Sequence, residues 1–103
     1  MNNSFTIEYL PLAEEDIKNI FDYIIIDDPY TAVKVLDQFD KTIDLLTNFP
    51  YMGAIPRDTY IAQMNYRFLV VETFLVFYVV SEELNRVEIR RIFSSKQKYD
   101  AFL

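Results

Sequence analysis

The chain has 103 residues, ten basic against sixteen acidic side chains, a formal net charge of −6, one Gly, and no Cys, His or Trp. Those absences exclude a disulfide framework, a cysteine or histidine zinc site, a thiol nucleophile, a Ser-His-Asp triad and a glycine-rich phosphate loop. With 51% hydrophobic residues, a single domain over residues 1–103 with a real core is expected.

Phe5-Thr6-Ile7-Glu8-Tyr9 alternates apolar and polar residues and reads as a half-buried strand. Pro11 suits a first helical turn, and Glu14, Glu15 and Asp16 sit where the helix dipole favours negative charge. Ala13, Ile17, Ile20, Phe21 and Ile24 make one apolar helix face, which ends at Asp27-Asp28-Pro29. Asp28 caps a second helix with Pro29 in its first turn. Its stripe is Ala32, Leu36, Phe39, Ile43 and Leu46, widened by Val33 and Val35, and Asn48-Phe49-Pro50 stops it. So short a connection makes the helices an antiparallel hairpin. Two adjacent acids beside a proline are a cap rather than a metal site.

Residues 51–64 hold Gly53 and Pro56 and read as one long irregular loop, a length often tied to function. Three strands follow: Tyr66 to Val71, Phe74 to Val80 and Val87 to Phe93. The middle run is continuously apolar, as a central strand covered on both faces should be. Ser81 to Asn85 is the hairpin loop, and the tail from Ser94 to Leu103 is compatible with a short helix. The fold class is α+β: an N-terminal strand, an antiparallel αα-hairpin, then a mostly antiparallel sheet. No apolar run reaches the roughly 18 residues of a membrane span. Met1-Asn2-Asn3-Ser4 lacks the pattern of a signal peptide, so a cytoplasmic domain with no membrane partner is expected.

Charge is unevenly spread. Residues 1–50 carry ten acids and three lysines, net −7, whereas residues 51–103 carry six acids and seven bases, net +1, with all five arginines. Either two solvated acidic helices sit beside a neutral sheet, or a basic working face sits on an acidic body.

Several fragments resemble the RelE/ParE toxin superfamily. Tyr9-x-Pro11-x-Ala13-x-x-Asp16-Ile17-x-x-Ile20-x-x-Tyr23-Ile24 is similar to its opening, and Phe49-Pro50-x-x-Gly53 to its helix-ending turn. Arg67-x-Leu69-x-Val71 with Tyr78 resembles its central hairpin, and Val87-x-Ile89-x-Arg91-Ile92 with Tyr99 its last strand and tail. The resemblance implies the toxin of a bacterial type II toxin–antitoxin pair, closer to the ParE-like pattern, with a cognate antitoxin wrapped over hairpin and sheet. Phe102, Leu103 and the strand edges are expected docking surfaces in a toxin–antitoxin hetero-oligomer. ParE-like members poison DNA gyrase and need no catalytic group. RelE-like members cleave mRNA on the ribosome, which requires positive charge at the phosphate and a proton donor and acceptor. A third reading is an inactive antitoxin-binding module.

Carried over residue by residue, a RelE-like site would use Arg67, Arg91, Lys96 and Tyr99, with no cofactor and no metal. Two departures count against it. Leu75 stands where the RelE-like pattern has an arginine, and Ser94 where some nucleases have a histidine. Each candidate also has a structural reading. Arg67 could pair with Glu72 or Glu88, Arg91 could form a partly buried pair, Lys96 and Lys98 could be solvated, and Tyr99 could anchor the tail.

Overall fold

The computed structural model describes residues 4–96 and residue 103. Strand β1 (Thr6–Tyr9) leads into helix α1 (Pro11–Asp27). Pro11 fills the first helical turn, where the helix has no bond for a backbone N–H. Asp28 then joins two helices by itself. Its N–H donates to Ile24 O at 2.9 Å, closing α1. Its carboxylate accepts from Thr31 Oγ1 at 2.6 Å and Thr31 N at 3.1 Å, opening α2 (Pro29–Asp44). Those two bonds hold the Asp28 carboxyl below its ordinary range.

The α2 stripe buries Ala32, Val35, Phe39 and Ile43, and a 3-10 turn (Leu45–Thr47) adds Leu46. Val33 does not widen that stripe: it is 62% exposed. Two residues before Val35, it falls on the opposite side of the helix.

The remaining elements are α3 (Thr59–Gln63), β2 (Tyr66–Val71), β3 (Phe74–Ser81) and β4 (Arg86–Ser94). The strands form one sheet in the order β1-β4-β3-β2. β2, β3 and β4 are antiparallel, while β1 joins β4 in parallel with Ile7 opposite Val87. β3 is covered on both faces, as its apolar run predicts. Val76 and Tyr78 belong to the core beneath the helices. Phe77 belongs to a second cluster with Ile61, Tyr66 and Phe93, against which Leu103 packs.

Two details depart from expectation. Residues 51–64 are not wholly irregular, because Asp58 accepts from Ile61 N at 3.0 Å and caps α3, which seats Ile61 on the second cluster. Ala54 also pairs with Phe68 through two 2.9 Å backbone bonds, covering part of the outer edge of β2. The β3–β4 register then slips: Phe77 faces Arg91 but Tyr78 faces Ile89. One extra residue, Arg90, is taken up there, as in a β-bulge. The expected tail helix lies outside the described residues.

Candidate functional site

β1 ends at Tyr9, opposite Ile89, and Leu10 N–H makes the last bond of that edge to Ile89 O at 3.0 Å. Beyond it Asp16 of α1 takes over. Its carboxylate accepts from the Ile92 backbone N–H at 2.9 Å, and from Arg91 Nε at 2.8 Å and Nη2 at 3.0 Å. The arginine fork matches the two oxygens, which makes this a strong, directional pair. The guanidinium also lies 4.7 Å from the Phe93 ring centroid. Asp16 and Arg91 line a groove of about 720 Å³ between hairpin and sheet, with Ile20, Ile24, Val35 and Phe74 as apolar walls.

Arg67 lies opposite Tyr78 on β3. It donates to Tyr51 O at 3.1 Å and Gly53 O at 3.0 Å, and its guanidinium sits 5.1 Å from the Tyr51 ring centroid. Gly53 N–H in turn donates to Tyr78 Oη at 2.9 Å. Burial pushes the Tyr78 hydroxyl above its ordinary value, so it stays protonated. Pairing of Arg67 with Glu72 or Glu88 is therefore corrected: loop carbonyls hold it instead.

Glu88 is buried and already occupied. It accepts from Arg86 Nη2 at 2.7 Å and Nε at 3.0 Å, and from Arg90 Nη2 at 2.7 Å. The bonds from Arg90 and then Arg86 hold its carboxyl below the ordinary 4.5. Arg86 also reaches Glu8 at 3.3 Å, and Arg90 lies over the Tyr66 ring at 5.9 Å.

These pairs bear on the two readings of the charge. Arg86, Arg90 and Arg91, three of the five arginines, are matched to internal carboxylates. The sheet half does not present them as a basic face. Among the described residues, Arg57 and Arg67 have no carboxylate partner.

Of the residues carried over as a RelE-like set, Arg67 and Arg91 are not brought together. Residues directly opposed across an antiparallel pair share a face. Arg67 on β2 thus shares the helix-side face with Tyr78, whereas Arg91 leaves β4 opposite Phe77 and its guanidinium reaches Asp16 of α1, with β3 between the two arginines. Lys96 is exposed past the end of β4, its backbone N–H donating to Ser94 Oγ at 3.3 Å. Tyr99 lies outside the described residues. Among the described residues, no group of three or more acids is placed to hold a metal ion, and no helix is long and apolar enough to cross a membrane. Sequence reasoning missed Asp16 as the partner of Arg91 and offered Glu88 to Arg67 rather than to Arg86 and Arg90. The alternation Arg86-x-Glu88-x-Arg90 on one strand face was a readable signal for the second. The first closes over 75 residues and has no local signature.

A family model described as the ParE toxin of type II toxin–antitoxin system, parDE, matches residues 7–99. The fold is similar to a solved chain of a chromosomal ParDE toxin–antitoxin system from P. aeruginosa. The TM-score is 0.73 at 20% identity, covering 90% of this chain and 98% of that one. It is also similar to a chain of the RelBE2 toxin–antitoxin complex from Mycobacterium tuberculosis. There the TM-score is 0.62 at 17% identity, covering 88% of this chain and 98% of the other. No curated protein sequence gives a significant match.

Proposed function

Because this chain belongs to the ParE toxin family of type II toxin–antitoxin systems, we propose that it arrests growth by binding a protein target, DNA gyrase, and that a cognate antitoxin neutralises it. The observation that carries the binding reading is the commitment of the β4 arginines to Asp16 and Glu88. A phosphate-cleaving site would need such guanidiniums aimed at the developing charge, with a proton acceptor beside them. Here Arg91 is clamped by a carboxylate, and Arg67, separated from it by β3, is held by carbonyls. The antitoxin is assigned to the groove between hairpin and sheet, whose apolar walls suit an amphipathic segment.

The test is to induce the protein and to map DNA supercoiling and mRNA ends in the same cells. Relaxed or broken DNA with intact messages is the expected result. Codon-phased cuts within translated messages would overturn it in favour of a nuclease using Arg67, Arg91, Lys96 and Tyr99. Unimpaired growth would overturn both in favour of an inactive antitoxin-binding module.

A further inference from the structure

The stretch from Phe49 to Met64 is unusual in what it exposes. Phe49 is 61% exposed, Met52 46%, Ile55 61%, Tyr60 69% and Met64 39%. Exposed apolar side chains on a floppy loop would mean little. This loop is held in place. Gly53 N–H is bound to the buried Tyr78, Arg67 holds two of its carbonyls, Ala54 is hydrogen-bonded to Phe68, and Asp58 caps α3. Tyr51 Oη donates to Glu82 at 2.6 Å, which ties the loop to the β3–β4 turn. Backbone bonds and the Asp58 cap hold the stretch, with Ile61 seated in the core, while Phe49, Met52, Ile55 and Tyr60 face out.

The composition fits a protein interface. Aromatic residues, Met and Arg are enriched at such surfaces, and Lys and Glu are depleted. Residues 49–64 contain no Lys and no Glu. Their single acid, Asp58, is engaged in its cap. The bases here are the exposed Arg57 and, just beyond, Arg67, which against Asp58 leave residues 49–67 with a net +1 on a chain of net charge −6. A small cavity of about 230 Å³ opens beside it, lined by Tyr51, Ile55, Asn65 and Arg67 among others. It can take one side chain of a partner.

We propose that residues 49–64 form the target-facing surface: a prefixed apolar platform for a protein partner whose complementary face is apolar with an acidic rim. The charge argues for that occupant, because Arg57 would oppose a basic surface and steer an acidic one. Fixing the loop beforehand lowers the ordering cost of association. The proposal rests on the binding reading above. It puts the target on the loop and leaves the antitoxin to the groove.

The experiment compares wild type with Ile55→Ala/Tyr60→Ala and with Arg57→Glu. Each is assayed for binding to purified DNA gyrase, for binding to the cognate antitoxin, and for growth arrest on induction. Thermal melts confirm that these exposed substitutions leave the fold intact. Support is a loss of gyrase affinity of at least tenfold in both variants, with antitoxin binding unchanged. Unchanged gyrase binding in the variants overturns the loop and leaves the gyrase reading standing. Loss of antitoxin binding with gyrase binding retained also overturns it. If wild type arrests growth without binding gyrase, the gyrase reading fails; the loop proposal then stands if the variants lose arrest and falls if they keep it. A wild-type chain that neither binds gyrase nor arrests growth overturns both.

Discussion

A Cβ on Gly53 would stand 2.5 Å from Tyr78 Oη, 2.8 Å from Tyr78 Cε1 and 2.9 Å from Phe68 O. The last neighbour is backbone in a paired strand and cannot yield cheaply. Gly53→Ala should therefore destabilise by about 2 kcal/mol, as overpacking of a filled site does. Tyr78→Phe in the same chain relieves the closest contact but not the carbonyl, so a double-mutant cycle by urea unfolding should recover only part of the loss. Glu88 gives a prediction with a pH signature. Hydrogen bonds to charged groups contribute about 1.5–3 kcal/mol, and its arginines are one-third exposed and can rehydrate. Glu88→Gln should thus cost about 2 kcal/mol at neutral pH. The folded carboxyl lies below its ordinary 4.5, so the unfolded chain takes up the proton first. The contribution is complete above that ordinary value and is lost as pH falls through the folded one. Wild type and Glu88→Gln should converge in stability on acidification; a gap that persists unchanged at low pH would contradict this.

At the scale of elements, the Asp16 carboxylate fastens α1 to β4 beyond the point where β1 stops. Asp16 and Arg91 side chains are 13% and 20% exposed. Removing one partner of a pair this enclosed strands a charge and an edge N–H, so Asp16→Ala should cost about 3 kcal/mol in urea unfolding. Lys41→Ala breaks a solvent-facing pair with Asp37 and should be close to neutral. If the two cost the same, Asp16 is not a clamp. This contact also shows where sequence reading runs out. Both ends of the hairpin were legible, because Pro11, Asp28 and Pro29 act on their own neighbours. β3 was legible because burial on both faces leaves a continuous apolar run. The short α3 was missed although Asp58 stood three residues before Ile61, since five residues give no periodicity. The parallel pairing of β1, the slip at Arg90 and the Asp16–Arg91 pair all join residues far apart in the chain. Nothing local encodes them, and they decide that Arg91 is bound to α1 while Arg67 lies across β3 from it.

Across the whole molecule, those pairings change what the net charge means. The sheet half is +1 by counting, yet Arg86, Arg90 and Arg91 lie against Glu88 and Asp16, which draw their fields inward. What remains outward is the acidity of the helices and a small positive patch around Arg57 and Arg67. Nucleic-acid affinity without sequence preference comes from neutralising phosphates, each contributing a slope of about −0.7 in log affinity against log salt on single strands. With Arg57, Arg67, Lys34 and Lys96 outside carboxylate pairs among the described residues, no more than about four phosphates can be met, against the repulsion of a net −6 surface. The wild-type chain should therefore bind polyuridylate no tighter than about 100 μM at 150 mM salt, with a slope shallower than about −2.8, as read by fluorescence anisotropy. Micromolar binding with a slope for five or more phosphates would mean that the β4 arginines leave their carboxylates to meet RNA. That result would remove the observation on which the protein-binding reading stands. The expected flat response leaves association governed by an apolar surface and local charge, and binding to an acidic-rimmed protein should then weaken with salt only as far as Arg57 and Arg67 contribute.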